Sequence, residues 1–298
     1  MKKSVSLLLA GLMLCGALAG CCGNDSADAN NAAEGGDAAA SGTSGAITVI
    51  SREDGSGTRS AFVELTGVED DNGDNTTVDA EIANKTDVVL TSVAGNESSI
   101  GYVSLGSLND TVKAVKVDGV EATTDNVKSG DYKLSRPFNI ATKGEPTGVA
   151  KDFINFILSA DGQAIVEEEG YITVNDAAEA FATDGSEGQI AVGGSSSVSP
   201  VMEKLIEAYQ AVNPKAKIEL QTSDSTSGMT GAIDGTFAIG MASRELKDEE
   251  KAELTGTSIA LDGIAVVVNP NNTVEDLTMD QIKSIYIGET TDWADVAA

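Results

Sequence analysis

Two turns rich in serine and glycine constrain this chain more than any other feature of its sequence. The first turn, residues 51–59, follows the apolar run 47–50, and the second, residues 193–200, follows residues 190–192 and opens the amphipathic stretch 201–212. A strand that turns through glycine and serine into a helix presents free backbone N–H groups and hydroxyls at the positive end of the helix dipole. Two such turns facing each other would surround a small anion with donors. This pattern predicts a binding site, and nothing in it requires catalysis.

The first residues predict the cellular compartment. A short basic start precedes an apolar run over residues 5–19, which is too short for a membrane-spanning helix and is typical of a secretory signal. Residues 18–21, Leu-Ala-Gly-Cys, resemble the bacterial lipobox. We therefore predict a signal peptide over 1–20 and an extracytoplasmic protein anchored to the cell membrane only through lipidated Cys21. The alternative is an ordinary cleaved signal with incidental cysteines.

The segment after the predicted leader has the composition of a linker. Residues 24–45 are mostly Asn, Asp, Ala, Gly and Ser, with almost no large apolar side chain. Such a segment cannot bury enough surface to offset its ordering entropy, so we predict a lipidated N-terminus and flexible tether over 21–45. The roughly 250 residues that follow are enough for one large domain or two lobes.

Residue composition excludes most kinds of catalytic and metal site. All three cysteines, Cys15, Cys21 and Cys22, lie in the leader or directly after it, and the chain has no histidine. The folded part therefore has no disulfide, thiolate metal site, cysteine nucleophile or Ser-His-Asp triad. An enzyme would have to rest on carboxylates alone, so we predict a non-enzyme without a metal or cofactor.

The net charge of −28 bears on the choice of partner. Such a charge argues against nucleic acid or an anionic membrane surface. It does not exclude a small anionic ligand, because distant charges are screened beyond about 8 Å at physiological ionic strength. Backbone N–H groups and an arginine at contact distance act within that range.

Strand and helix patterns alternate along the chain after the tether, which predicts an α/β protein with mainly parallel sheets flanked by helices. Ligands in such sheets bind at the carboxyl ends of the strands, where the two turns lie. The predicted strands after 47–50 are residues 100–103, 112–117, 138–141, 190–192, 218–220, 237–241 and 264–268. The predicted helices are residues 59–65, 79–85, 150–157, 161–169, 201–212, 229–234 and 279–285.

Four motifs resemble the phosphate-binding loops of the substrate-binding protein of the phosphate ABC importer. They are residues 52–58 (Arg-x-Asp-Gly-Ser-Gly-Thr), 194–200, 225–228 and 240–246. The likeness extends over nearly everything after the tether. It implies a two-lobed, hinged periplasmic-binding-protein-like fold of type II, which closes on its ligand. It also implies a monomer that captures inorganic phosphate and delivers it to the membrane subunits of an ABC importer.

The resemblance assigns roles to individual residues. Arg52 would make a bidentate contact with the anion, and Asp54 would orient Arg52. For each serine or threonine, the alternative is a plain helix cap. The predicted donors are Ser56, Gly57 and Thr58 from one lobe and Ser196, Ser197 and Thr226 from the other.

Ser243 departs from the pattern of the family. Many members have an aspartate at this position, which accepts the proton of bound phosphate and would repel sulfate. With Ser243 there, the acceptor is a hydroxyl lone pair, Asp54 or Asp224. Arg244 is either a second cation for the ligand or a surface partner of Glu245 or Asp248.

The order of the motifs also departs from the family. The Gly-Ser-Ser-Ser turn usually comes first, whereas here it follows the Arg52 loop, so the chain resembles a circular permutation joined through residues 175–189. One lobe would then be residues 46–135 plus 264–298 and the other 136–263. A damaged or fused gene fragment is the alternative.

Two other functions stay open from the sequence. A receptor for another tetrahedral oxyanion, such as sulfate or molybdate, would use the same donors. A phosphate-ester hydrolase would need a metal cluster or an activated nucleophile, and the sequence has no suitably spaced set of aspartates and histidines.

Overall fold

The computed structural model describes residues 43–296, so the predicted signal peptide, Cys21 and nearly all of the predicted tether lie outside the described residues. The strands are β1 (Thr48–Arg52), β2 (Glu69–Asp70), β3 (Gly73–Asp74), β4 (Glu81–Ala83), β5 (Ser99–Ser104), β6 (Lys113–Ala114), β7 (Lys116–Val117), β8 (Ser135–Thr142), β9 (Gly188–Ser195), β10 (Ala216–Ser223), β11 (Ile239–Ala242), β12 (Thr255–Val268) and β13 (Asp276–Leu277). The α-helices are α1 (Gly57–Thr66), α2 (Thr86–Gly95), α3 (Thr124–Ser129), α4 (Gly148–Ile157), α5 (Ala160–Glu168), α6 (Ser199–Val212), α7 (Ser225–Asp234), α8 (Asp248–Glu253) and α9 (Met279–Tyr286). In this range no helix has both the length and the apolar character needed to cross a membrane.

One nine-stranded sheet runs through the fold in the order β10-β9-β11-β8-β12-β5-β1-β4, with β6 beside β12. Pairing is parallel toward both ends, among β10, β9 and β11 and among β5, β1 and β4. The central strands β8 and β12 run antiparallel to every strand that they pair with. The predicted α/β architecture is confirmed, with parallel pairing in the outer parts of the sheet and antiparallel pairing at its centre.

The 14-residue strand β12 connects the two parts of the sheet. Residues 255–263 pair with β8, and residues 264–268 pair with β5. A fully buried ion pair joins the two central strands, with 3.0 Å between Arg136 Nη2 and Asp262 Oδ2. Ser104 donates a hydrogen bond to the other oxygen of Asp262. Burial raises the pKa of Asp262, while the contacts with Arg136 and Ser104 act against that shift.

Separate apolar clusters lie on the two sides of these central strands. On the β5 side, Phe62 stacks on Tyr102 with 4.0 Å between ring centroids and meets Tyr286 edge-on. On the β9 side, α4 and α6 pack Phe153 against Tyr209 over the sheet. Strand β1 and the end of β12 share the first core although they come from opposite ends of the described chain. The predicted lobe boundaries, 46–135 plus 264–298 and 136–263, stay predictions.

One predicted element is wrong. Residues 79–85 do not form a helix, because residues 81–83 form the short edge strand β4, which pairs in parallel with β1. Lys85 is extended, with φ −156° and ψ 159°, and the helix begins only at Thr86. The edge of β1 supplies backbone partners that outweigh the weak local preference of this segment. The shift moves a helix N-terminus next to the two turns.

Candidate ligand-binding site

The two serine- and glycine-rich turns face each other at the carboxyl ends of β1 and β9. The first turn leads from Arg52 into α1, and the second leads from Ser195 into α6. Two side-chain contacts join the turns: Arg52 Nη2 donates to Ser196 Oγ over 3.0 Å, and 2.8 Å separates Thr58 Oγ1 from Ser197 Oγ. All four side chains are buried. Arg52, Thr58, Ser196 and Ser197 therefore meet at one place, which we call the hydroxyl cluster.

Arg52 lies at the centre of this cluster. Its side chain is 3% exposed, and its Nε and Nη2 atoms each donate to one oxygen of Glu53 over 2.8 Å. The Tyr102 hydroxyl from β5 accepts from the backbone N–H of Arg52 over 3.1 Å and also contacts Ser51. Burial raises the pKa of Tyr102, so this hydroxyl stays protonated. The Tyr102 hydroxyl thus fixes the end of β1, and the Arg52 guanidinium reaches the second turn.

The prediction that Asp54 orients Arg52 is wrong. The Asp54 side chain is 97% exposed and accepts from Arg59 Nη1 over 2.9 Å. Arg59 also donates to the backbone carbonyl of Arg52 and pairs with Asp74 over 2.7 Å. Asp54 therefore supports Arg52 only through Arg59, and the carboxylate that holds the Arg52 guanidinium is Glu53. The two adjacent acids of the turn thus bind different arginines, Glu53 binding Arg52 and Asp54 binding Arg59.

Thr86 joins the cluster from a third element, and the sequence prediction missed it. It is the first residue of α2 and is 4% exposed. Its Oγ1 lies 3.5 Å from Arg52 Nη1, 3.4 Å from Ser196 Oγ and 3.3 Å from Ser197 Oγ. The sequence predicted a helix over residues 79–85, which would place Thr86 after the end of a helix. In the structure Thr86 is at the start of one.

Ser56 and Gly57 have different surroundings in the first turn. The Ser56 hydroxyl accepts from the backbone N–H of Arg59 over 3.3 Å, so its described contact is that of a plain cap of α1. A Cβ at Gly57 would collide with Ser225 Oγ and lie 2.8 Å from Ser243 Oγ. Glycine is required here because the first turn approaches the other loops this closely.

Ser243 is fully buried opposite Gly57. Its hydroxyl accepts from Ser195 Oγ over 2.9 Å, and its backbone N–H donates to Ser225 Oγ over 3.1 Å. Thr226 also meets the first turn, because its backbone N–H donates to the carbonyl of Gly55 over 3.2 Å. Both residues therefore lie where the two sides of the site approach each other, although Thr226 contacts it through its backbone.

Neither aspartate considered as the proton acceptor contacts Arg52. Asp54 faces solvent and Arg59. Asp224 caps α7, accepting from the backbone N–H of Ser227 over 2.8 Å and from its hydroxyl over 2.6 Å. Of the three acceptors considered from the sequence, the hydroxyls are the ones that contact Arg52 in the described residues, and the Glu53 carboxylate accepts from it as well.

The prediction that Arg244 forms a surface ion pair with Glu245 or Asp248 is wrong, while its role as a second cation for the ligand stays a prediction. Arg244 is 5% exposed, and its two Nη atoms donate to the two oxygens of buried Glu250 over 2.7 and 2.8 Å. It reaches Glu245 only through that residue's backbone carbonyl. Burial acts to raise the pKa of Glu250, but hydrogen bonds from Arg244 and the Lys247 N–H outweigh it, so this pKa lies below its usual value.

Helix ends contribute to the electrostatics of the site. The helices α1, α6 and α7 begin at or next to the cluster, and none of the three has an acidic residue in its first turn. The Asp224 carboxylate caps α7 and offsets its positive end, so α1 and α6 are the two of these helices whose starts favour an anion. Among residues 43–296, no group of three or more His, Cys, Asp or Glu side chains is arranged to hold a metal ion.

Comparison with known proteins assigns this chain to a family. A family model described as a PBP superfamily domain matches residues 25–161 and 179–298. The phosphate-binding protein PstS 2 of Streptococcus agalactiae serotype V is 51% identical over 99% of this chain and 98% of its own length. Its counterpart in Streptococcus pneumoniae serotype 4 is 43% identical over 98% of both chains. The crystal structure of a phosphate-binding protein of a phosphate ABC transporter from Streptococcus pneumoniae TIGR4 superposes with a TM-score of 0.70 at 44% identity, covering 85% of this chain and 100% of that chain. This chain therefore belongs to the PBP superfamily and, within it, to the PstS family of phosphate-binding proteins.

Proposed function

We propose that this protein is a substrate-binding protein, not an enzyme, which captures inorganic phosphate and delivers it to the membrane subunits of an ABC importer. One observation carries the proposal: the buried Arg52 guanidinium of the first turn donates to Ser196 Oγ of the second turn over 3.0 Å, and the Thr86 hydroxyl lies 3.5 Å from its Nη1. A planar guanidinium and several hydroxyls, away from water, suit a tetrahedral oxyanion. The names of the full-length relatives support the same ligand.

Calorimetric titration of the purified protein with phosphate, sulfate and molybdate tests this proposal. We expect saturable phosphate binding at one site and weaker binding of the other two anions. Tight sulfate or molybdate binding without phosphate binding would instead support a receptor for another oxyanion. Release of phosphate from a phosphate ester in the presence of added divalent metals would contradict a pure binding role.

We propose that the phosphate ligands are the residues named from the motifs, with Arg52 making the strongest contact. Thr58, Ser196 and Ser197 are supported by their buried hydroxyls in the cluster. A crystal structure with phosphate would test the whole set. The other proposed members, which contribute through backbone groups, caps or neighbouring hydroxyls, are Ser56, Gly57, Thr226 and Ser243. Asp54, also named from the motifs, faces solvent and Arg59 and is not among them.

We propose that lipidated Cys21 anchors the protein outside the cytoplasm. The support is the lipobox-like sequence at residues 18–21. Cys21→Ala should move the protein from the membrane fraction into the medium, whereas Cys22→Ala, a matched control one residue away, should leave it on the membrane. Continued membrane attachment of Cys21→Ala would contradict this anchor. We also propose a monomer, which light scattering of the purified protein would test.

We propose that the motif order reflects a circular permutation relative to other branches of the family. The full-length relatives align over 98% of their own length, so they share this order and do not support a damaged fragment. Bonds between the start of β1 and the final segment also fit, since Trp293 N–H donates to the Gly45 carbonyl over 3.0 Å and Ile47 N–H to the Thr291 carbonyl over 2.9 Å. A chain reconnected in the usual family order should fold and bind phosphate, and failure to fold would contradict the proposal.

A further inference from the structure

Thr86 belongs to the hydroxyl cluster but to none of the four motifs. Its Oγ1 lies within 3.5 Å of polar atoms from Arg52, Ser196 and Ser197, and thus contacts both turns. Only 4% of the residue is exposed. An exposed threonine at a helix start is common. A buried threonine hydroxyl that contacts a cation and two serines is instead positioned to bind the same ligand as they do.

The position of Thr86 at a helix start adds to this contact. Helix α2 is ten residues long, and the side chain of Lys85 before it makes no capping hydrogen bond. The N–H groups of Val88 and Val89 donate to the Lys85 carbonyl, while Thr86 directs its hydroxyl at the cluster. Thr86 thus places a hydroxyl at the start of α2, as Thr58 does at the start of α1, although Asp87 in the first turn of α2 offsets part of its positive end.

A cavity reaches the cluster on the Thr86 side. It has a volume of about 190 Å³, and its lining includes Lys85, Thr86, Ser107, Ser196 and Glu203. Thr86 and Ser196 are the members of the cluster that line it, and Arg52 is not among its lining residues. Thr86 therefore lies between this cavity and the guanidinium.

A larger cavity of about 710 Å³ lies beside Gly67, Asp70 and Lys283 and shares no residue with the cluster. It brings together no buried arginine and hydroxyl set of the kind that surrounds Arg52, so size alone does not identify the ligand site.

We infer that Thr86 is a direct ligand of the bound phosphate, contributed by α2 as a third element of the site. This inference rests on the proposed phosphate binding. The Arg52 guanidinium can only donate, whereas the Thr86 hydroxyl can donate to an anionic oxygen or accept the proton of hydrogen phosphate. Thr86 thus adds to the contacts from the two turns on the side of the cavity.

Titration calorimetry with inorganic phosphate on matched variants tests this inference. Thr86→Val keeps the shape of the side chain and removes the hydroxyl, so we expect phosphate to bind on the order of tenfold more weakly. Thr86→Ser keeps the hydroxyl and should bind within about twofold of the unmodified protein. Thr91→Val removes an exposed hydroxyl of the same helix, one that bonds only to the Asp87 carbonyl, and should change nothing.

The outcomes separate this inference from the proposed function. If the unmodified protein does not bind phosphate, the proposed function fails. If it binds phosphate and Thr86→Val binds equally well, the inference about Thr86 fails and the proposed function stands. Should Thr86→Val not fold by circular dichroism, a crystal structure of the unmodified protein with phosphate decides. An Oγ1 within about 3 Å of a phosphate oxygen supports the inference, and one beyond hydrogen-bond distance overturns it.

Discussion

Arg52 and Arg244 each lie in a Ser-Arg-Glu sequence at or just after the end of a strand, yet their surroundings differ. Both are buried, and both are held by two hydrogen bonds to a glutamate. Glu250 is itself buried, with 6% of its side chain exposed, and beyond it Arg244 Nη2 reaches only as far as Thr226 Oγ1, over 3.4 Å, in the described contacts. The Glu53 side chain is 21% exposed, and Arg52 extends past it to Ser196 on the opposite turn. Both arginines have a glutamate partner, so the difference in their expected roles comes from the other groups that each guanidinium contacts.

This difference has an electrostatic consequence. Water beside Glu53 screens its charge, so the field of Arg52 toward the cluster is only partly cancelled. The buried carboxylate of Glu250 cancels the charge of Arg244 at short range. We therefore expect Arg244 to contribute to folding and Arg52 to contribute to binding.

The largest effect should come from breaking the ion pair between Arg244 and Glu250. Glu250→Gln leaves the Arg244 charge buried without its counter-ion and should lower the free energy of unfolding by about 3–5 kcal/mol. Phosphate affinity should change little in the folded variant. Urea denaturation checks the stability, with Glu249→Gln, an exposed neighbour on α8, as the control. If the folded variant lost more binding free energy for phosphate than free energy of unfolding, Arg244 would be part of the binding site.

The same pair predicts a pH dependence. The pKa of Glu250 is lowered in the folded protein, so its contribution is fully present above the unfolded pKa of about 4.3. That contribution is lost as the pH falls through the lower folded value. The difference in stability between the unmodified protein and Glu250→Gln should therefore be constant near neutral pH and should narrow below about pH 4. A difference that widened toward low pH would contradict the lowered pKa.

The second largest effect concerns Arg52. Arg52→Ala removes charge-assisted bonds worth on the order of 1.5–3 kcal/mol each, so phosphate affinity should fall tenfold or much more. Arg52→Lys should restore it only in part, because the planar fork is lost. Lys85→Ala removes an exposed positive charge at the neighbouring cavity and should have a small effect. Unchanged binding in folded Arg52→Ala would count decisively against this site.

The third effect concerns selectivity at Ser243. An aspartate there could accept a proton from hydrogen phosphate, which sulfate lacks, so Ser243→Asp should reduce sulfate binding by about tenfold while sparing phosphate. Ser243 lies against Gly57 and accepts from Ser195, so the new carboxylate would face the site. Parallel titrations of both anions between pH 5 and 8 check this. An equal loss for both would mean that the acceptor lies elsewhere.

Local chemistry allowed the centre of the site to be predicted. The turns around Gly57, Thr58 and Ser197 follow from short-range rules, in which glycine permits close approach and hydroxyls gather at helix starts. The ends of helix α1 could be read in the same way, since Gly67 ends it with φ 70°. These features depend on neighbours in sequence, so the sequence is enough to place them.

The features that were missed depend on distant partners. Strand β4 forms because the edge of β1 is available, and Thr86 reaches the cluster only as a result. Residues 255–263 complete β12 because β8 lies beside them. Arg244 is taken up by Glu250, six positions further along the chain, instead of by the nearer acids. No spacing rule in a single sequence distinguishes such partners.

The smallest effects distinguish the two adjacent acids of the first turn. Glu53→Gln keeps the shape of the side chain but weakens its hold on the guanidinium, so phosphate affinity should change by only about two- to threefold. The direction reports which role dominates: a loss means that Glu53 mainly positions Arg52, and a gain means that its charge mainly opposes the anion. Asp54→Asn alters an exposed pair with Arg59 and should leave binding within error. Calorimetric titration of both variants at low and physiological salt measures these changes. If Asp54→Asn weakened phosphate binding more than Glu53→Gln, Asp54 would be the residue that orients Arg52. Glu53 would then not explain why Arg52 and Arg244 differ.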